Sequence, residues 1–157
     1  MKERNFLKKI GRAESLEIVE KSEQMKDSYL AKSISNIESA KILLEKNKLE
    51  ESVSLAYFSM YNSLLALLFK NGIKCENHSG AIILLKEVFD LDNSQIKLAK
   101  KERIDKQYYA DFHVVKKDTE ELIEIAEEFN SIIFDFIEKM KETDIEKARK
   151  ILREILK

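Results

Sequence analysis

The chain has 157 residues, of which 44% are hydrophobic, which suits one globular domain with a continuous core. Its 28 lysines and arginines nearly balance 29 aspartates and glutamates, so the net charge of -1 excludes an overall positive field that would attract nucleic acid. Proline is absent and glycine occurs only three times, whereas leucine, isoleucine, lysine and glutamate favour helices. We therefore expect an all-α fold.

Cysteine usage and hydropathy bear on the cellular compartment. The single cysteine, Cys75, excludes an internal disulfide and a zinc cluster built on cysteines. No charged segment followed by a long apolar run opens the chain, and polar residues interrupt the other apolar stretches. We expect a cytoplasmic protein without a membrane span, a metal or another cofactor.

The first elements in the chain differ in the strength of their helical pattern. Residues up to Lys26 carry a weak apolar stripe that Gly11 interrupts, which favours an appended docking helix. Apolar residues then recur at steps of three or four and predict a helix that ends at Asn47: Leu30, Ile34, Ile37, Ala40 and Leu44.

The next helix is predicted from about Glu50 to Lys70. It is apolar on more than one side and so belongs at the centre of the fold, where its paired tyrosines Tyr57 and Tyr61 are expected to pack. Asn71 and Gly72 both tolerate the left-handed conformation that ends a helix.

Three capping patterns predict where later helices begin. Either Asn77 or Ser79 can cap a third helix that ends near Asp90, and a fourth, polar helix starts at Asp92 or Asn93 and runs through Lys101 or slightly beyond. Asp118 with Glu121 resembles a capping box before a long amphipathic helix that reaches Met140. Thr143 with Glu146 forms a second such box before a short terminal helix.

The apolar pattern lapses between Ala99 and His113, where the sequence reads AKKERIDKQYYADFH. A polar and aromatic tract inside a helical protein is either a solvated helix end with its connection or a functional site. Arg103 and Tyr108 in this tract, with the turn Asn77-His78-Ser79-Gly80, favour the second interpretation.

Several segments, in their order and spacing, carry a family resemblance. They are Ser39-Ala40-Lys41-Ile42-Leu43-Leu44, Ser54-Leu55-Ala56-Tyr57-Phe58-Ser59-Met60-Tyr61, Asn71-Gly72-Ile73, His78-Ser79-Gly80, Arg103 to Tyr109 and Ala126-Glu127-Glu128-Phe129. From about Lys32 to Met140 the chain resembles a HEPN domain of the small prokaryotic branch often found beside a minimal nucleotidyltransferase.

This resemblance implies an antiparallel up-and-down bundle of four to five core helices that pairs as a homodimer. The residues before and after the matching region predict added helices at both ends. We accordingly divide the chain into an N-terminal helical extension (1–28), a HEPN-like bundle (29–141) and a C-terminal helix (142–157). The resemblance also implies a cleft at the dimer interface, where active members cut RNA without a metal.

In those ribonucleases an arginine is followed, after four to six residues, by a histidine that moves protons near neutral pH. The guanidinium holds the developing negative charge. Arg103 matches the arginine, but Tyr108, or Tyr109 at one longer spacing, stands at the histidine position. A phenol with a pKa of about 10 is a poor general base. His113 lies ten residues after Arg103, which turns it away from the same face of an ideal helix.

Simpler interpretations apply to the same residues. Arg103 can be a solvated charge or a partner of Asp105 or Glu102. His78 can cap a helix or make a structural hydrogen bond. A cation site at Asp105 and Asp111 lacks further hard ligands nearby in the sequence.

Three functions remain open. The first is a HEPN-type module that binds RNA or a nucleotide, as one component of a toxin–antitoxin or defence pair with a nucleotidyltransferase that modifies Tyr108 or Tyr109. The second is an active metal-independent ribonuclease in which Tyr108 or His113 replaces the missing histidine and Arg103 stabilises the negative charge. The third is a structural scaffold that captures a protein through its terminal helices. We assign catalytic roles to Arg103 and Tyr108 and binding roles to His78, Tyr109, Asp105 and His113, with no metal ligands.

Overall fold

The computed structural model describes the backbone of residues 1–108 and 115–157 and the side chains of residues 1–105 and 115–157. These residues form seven helices and one two-stranded sheet. The elements are α1 (Lys2–Arg12), β1 (Leu16–Ile18), α2 (Glu23–Glu45), α3 (Leu49–Lys70), β2 (Ile73–Cys75), α4 (His78–Glu87), α5 (Ser94–Tyr108), α6 (Lys116–Lys139) and α7 (Glu142–Leu156).

Helix α3 lies at the centre of the bundle, as its two apolar stripes predict. It packs against α2, α5 and α6, and the side chains of Ala56, Met60 and Leu64 are fully buried. By length and composition α3 is the one helix among the described residues that could cross a membrane, but 67% of its apolar window is buried inside the protein. The predicted helical bundle is confirmed.

The ends of the early helices follow the sequence signals. Asn47, just beyond α2, has φ 57°, and Gly72, just beyond α3, has φ 66°. Both residues therefore adopt the left-handed conformation that their positions predict. Asn77 rather than Ser79 caps α4, because its side chain accepts a hydrogen bond of 2.8 Å from the backbone N–H of Gly80.

Both predicted capping boxes of the later helices are wrong. Helix α6 begins at Lys116, so Asp118 lies inside its first turn. Helix α7 begins at Glu142, and its first turn is closed by the carboxylate of Asp144, which accepts a hydrogen bond of 2.8 Å from the backbone N–H of Lys141. Helix α5 also continues past Lys101 through Arg103 to Tyr108.

The small antiparallel sheet was not expected from the sequence. In it, Leu16 of β1 lies opposite Cys75 of β2 and Ile18 lies opposite Ile73. Strand β2 leads directly into α4, so the sheet holds the start of that helix against the N-terminal segment.

The chain ends share the core of the bundle. Leu7 of α1, Leu16 of β1 and Leu152 of α7 are almost completely buried and belong to the same hydrophobic cluster as α3. The expected boundary between residues 28 and 29 falls within α2, which Ser22 caps by accepting a hydrogen bond from the Met25 N–H. The division into an extension, a bundle and a terminal helix stays a prediction.

A buried polar cluster joins α2, α3 and α6, and we call it the serine–asparagine network; its members are Ser33, Ser59, Ser63 and Asn130. The Oγ of Ser63 donates to Oδ1 of Asn130 at 2.6 Å, and Nδ2 of Asn130 donates to Oγ of Ser59 at 2.8 Å. Ser33 and Ser59 also exchange hydrogen bonds with each other's carbonyl oxygen. The network fixes how the three helices pack.

Candidate functional site

A second polar cluster lies where α5 passes the start of α4 beside α3. We call it the His78 cluster; it consists of His78, Ser79, Lys100 and Arg103 against the aromatic rings of Tyr57, Phe58 and Tyr61.

His78 is the first residue of α4. Because Asn77 makes the capping hydrogen bond of that helix, the His78 ring is available for other contacts. Its Nδ1 lies 2.9 Å from the hydroxyl oxygen of Tyr57. The imidazole also stacks on Tyr61, with ring centres 3.9 Å apart and planes at 13°. His78 is therefore a hydrogen-bonded aromatic residue rather than a helix cap.

The two tyrosines beside His78 remain protonated near neutral pH. Burial raises the pKa of Tyr57 to about 12, although the positive charge of Arg103 opposes this shift. Burial also raises the pKa of Tyr61, with smaller contributions from Cys75 and other neighbours. The Tyr57 hydroxyl can donate to Nδ1 or accept from it, so the hydrogen bond is compatible with both tautomers of the neutral imidazole.

Arg103 packs its guanidinium over aromatic rings. The Cζ atom lies 4.8 Å from the ring centre of Phe58 and 5.6 Å from that of Tyr57, within the range of cation–π attraction. Its Nε is buried and has no hydrogen-bond partner among the described residues. The aromatic contacts thus position the side chain, and its buried Nε makes no hydrogen bond within the described part of the chain.

Lys100 precedes Arg103 by one helical turn, so both side chains lie on the same face of α5. Its Nζ donates a hydrogen bond of 2.6 Å to the hydroxyl oxygen of Ser79. Burial lowers the pKa of Lys100, and the positive charge of Arg103 lowers it further. Lys100 nevertheless stays charged near neutral pH because an unperturbed lysine has a pKa of about 10.4.

The pKa of His78 is lowered by burial and then by the positive charges of Lys100 and Arg103. Because an unperturbed imidazole has a pKa of about 6.5, His78 is mostly neutral at pH 7. No carboxylate contributes to the shifts of His78 or Lys100 among the described residues. The cluster therefore gathers positive charge at the positive end of α4, an arrangement that attracts an anion.

The structure brings together two of the sequence-predicted site residues, His78 and Arg103, both of which contact Tyr57. Asp105 follows Arg103 by two residues and therefore lies on a different face of α5. Tyr108 ends α5, but its side chain lies outside the described residues. Tyr109, Asp111 and His113 also lie outside them.

Sequence reasoning missed Lys100 and the aromatic wall of the site. The available signal for Lys100 was its spacing of three residues from Arg103 on a helix. Within the described ranges, no three histidine, cysteine, aspartate or glutamate side chains come close enough to hold a metal ion.

A sequence model of the HEPN domain matches residues 25–140 of this chain. The chain belongs to the HEPN domain family. No curated protein is similar enough to be matched to it. The HEPN region contains the whole His78 cluster, whereas α1, β1 and α7 lie outside the matched residues.

Proposed function

We propose that this HEPN protein binds RNA or a nucleotide through a phosphate group at the His78 cluster. The observation that carries the proposal is the position of two cations, Lys100 and Arg103, beside His78 at the start of α4, with no carboxylate acting on His78 or Lys100 among the described residues. Arginine and lysine are the side chains that proteins use most for phosphate, and both are held here by neighbouring side chains.

The burial of the aromatic wall indicates what kind of contact the site makes. Tyr57 is 0% exposed and Tyr61 is 6% exposed, so neither ring offers a free face on which a base can stack. Recognition at this site therefore falls on the phosphate rather than on the base, which makes it independent of nucleotide sequence.

The partners follow from the family resemblance and belong to the same proposal. We place the cluster in the cleft of a homodimer, in a toxin–antitoxin or defence pair with a minimal nucleotidyltransferase that modifies Tyr108 or Tyr109. The binding roles of Asp105 and His113 stay predictions from the sequence, and Asp105 lies on a different face of α5 from Arg103. Sedimentation equilibrium of the purified protein tests the dimer, and mass spectrometry after coexpression tests the tyrosine modification.

The substitution Arg103→Ala tests phosphate binding. Loss of charge-assisted hydrogen bonds should weaken binding of a short single-stranded RNA by about tenfold or more at constant salt concentration. Fluorescence anisotropy measures the affinity, and Arg153→Ala, which removes an exposed arginine on α7, is the matched control. Equal affinities of the parent and the Arg103 variant would refute the proposal.

A second candidate function is metal-independent RNA cleavage, because the structure places a neutral imidazole beside the guanidinium of Arg103. Incubation of the protein with RNA in the presence of a chelator tests it. RNA that stays intact, or cleavage that survives Arg103→Ala, would eliminate this candidate.

The scaffold hypothesis meets a structural difficulty. Under that hypothesis, removal of the segments before Lys26 or after Thr143 should abolish partner capture and leave the bundle folded, but both segments bury side chains in its core, including Leu7 and Leu152. Loss of partner capture in such truncations would therefore report unfolding as much as loss of a docking surface.

A further inference from the structure

Within residues 1–105 and 115–157, the charges that act on His78 are of one sign. The titratable groups that contact it or act on it there are Tyr57 and Tyr61 from α3 and Lys100 and Arg103 from α5, and Cys75 from β2 acts on Tyr61. Burial raises the pKa of both phenols and of the Cys75 thiol, so these groups carry no negative charge near pH 7. In the absence of an anion, Lys100 and Arg103 are the charged groups in the described part of the chain that act on the imidazole, and they oppose its protonation.

A bound dianion would reverse this balance. It would neutralise Lys100 and Arg103 and place negative charge beside the imidazole, and an opposite charge at short range favours the protonated form. A protonated His78 donates from Nε2, while its Nδ1–H donates to the Tyr57 hydroxyl oxygen at the observed distance of 2.9 Å. The hydrogen bond to Tyr57 therefore holds the ring in place in both protonation states.

We propose that the His78 cluster binds the dianion of a terminal phosphate group and that His78 takes up a proton as the anion binds. The proposal rests on the proposed function, because it concerns the same site, and it specifies the class of phosphate. The proton comes from the solvent and moves to the imidazole, and no covalent bond to phosphorus changes.

The number of donors favours a phosphate monoester over the diester of an internal RNA linkage. A monoester carries a charge of roughly −1.5 to −2 and three terminal oxygens. The cluster offers donors from three side chains, namely Lys100, Arg103 and protonated His78. A diester has a single negative charge and two non-bridging oxygens, so it would leave a half-buried cation without compensation. The ligand is therefore a mononucleotide or the phosphorylated end of an RNA strand.

Sulfate is the first probe, because it stays a dianion throughout the pH range in which histidine titrates. Isothermal titration should show that sulfate affinity rises as the pH falls from about 8 to 6, with a limit of about tenfold per pH unit for one proton taken up. His78→Gln should remove this pH dependence. Lys97→Gln, which removes an exposed lysine from the same helix, should keep it.

Two results would overturn the proposal at this stage. One is sulfate affinity that does not change with pH in the parent protein, and the other is the same pH dependence in the parent and in His78→Gln. Failure to bind sulfate at all also counts against it. If RNA binding still depends on Arg103 in any of these cases, the proposed function stands and only the proton-linked dianion site is lost.

The second probe compares phosphate classes. We expect 5′-AMP, or an RNA strand with a 5′-phosphate, to bind about tenfold more tightly than a dinucleoside monophosphate or the same strand with a 5′-hydroxyl. Equal affinities would refute the preference for a terminal phosphate. If 5′-AMP binds as tightly as the phosphorylated strand, the source is a mononucleotide; if the strand binds more tightly, the source is an RNA end.

Discussion

Two polar clusters contact the central helix α3, and they are built from different side chains. The serine–asparagine network uses short neutral groups, and Asn130 satisfies both its amide and its carbonyl oxygen within 2.8 Å. The His78 cluster uses long cationic groups, and the Nε of Arg103 has no partner in the described part of the chain. The comparison shows how one helix supports a closed structural cluster on one side and an anion-attracting cluster on another.

The two clusters differ in whether their polar groups find partners within the folded protein itself. A neutral hydrogen bond contributes about 1 kcal/mol to stability when both partners are paired in the folded state. A partly buried cation without an anion destabilises the folded state because burial removes its hydration. Substitutions should therefore lower stability in the network, whereas in the His78 cluster they should lower ligand affinity.

The largest effect on stability is expected for Asn130→Ala. The change removes two buried hydrogen bonds, those of Asn130 with Ser59 and Ser63, although both hydroxyls keep bonds to Ser33, and it should lower the free energy of unfolding by about 2 kcal/mol. Urea denaturation measures the loss. The matched control is Asn36→Ala, which removes the half-buried hydrogen bond from the side-chain amide of Asn62 to Asn36. It should lower the free energy of unfolding by less than about 1 kcal/mol. A loss no larger than that of the control would refute the assignment of the network to folding.

An intermediate effect is expected for Lys100→Met, with opposite consequences for folding and binding. Methionine keeps the length of the side chain but removes its charge, so the free energy of unfolding should stay equal or rise by up to about 1 kcal/mol, while sulfate affinity falls severalfold. Thermal denaturation and isothermal titration measure the two quantities, with Lys97→Met as the control. A clear loss of stability without a loss of affinity would mean that Lys100 acts in folding.

The smallest effect concerns His78 and pH. Because its pKa in the folded protein is lowered below about 6.5, the unfolded state binds the proton first when the pH falls. His78 therefore contributes its full stability above pH of about 6.5, and that contribution is lost as the pH falls toward its folded pKa. His78→Gln should lower stability more at a pH of about 7.5 than at a pH of about 5, that is, above and below the ordinary histidine pKa of about 6.5. Urea denaturation measures both differences, and a gap that widens in acid would contradict the lowered pKa.

Periodicity and capping chemistry predicted most of the fold. The recurrence of apolar residues identified α2, α3 and α6, and Asn47 and Gly72 ended the first two of these helices with the expected backbone conformation. These signals are local, because a helix forms its hydrogen bonds within itself. The predicted starts of α6 and α7 were wrong. Val115 precedes α6 without a side-chain cap, and in α7 the carboxylate of Asp144 bonds to the backbone of Lys141, so neither Asp118 nor Thr143 is the cap.

The sequence pattern did not predict the pairing of the two strands, which are far apart in the chain. Strands β1 and β2 have three residues each and lie far apart in the chain, so neither shows an alternation long enough to recognise. For the site, the interpretation of His78 and Arg103 as neighbours needed the family resemblance. The role of Phe58 as the platform under Arg103 depends on the packing of α5 on α3, which residue spacing does not encode.

Arg149 in α7 has a consequence for any shortened version of this protein. Its Nη1 donates hydrogen bonds to the carbonyl oxygens of Val19, Asn71 and Gly72, at 2.8, 3.0 and 3.1 Å. The Arg149 guanidinium thus links the N-terminal segment to the turn that precedes β2 by hydrogen bonds. Strand β2 in turn leads into α4, whose first residue is His78. Trimming the protein to the family-matched residues would remove this fastening and leave one edge of β2 unpaired. Chemistry measured on such a fragment would describe a different site.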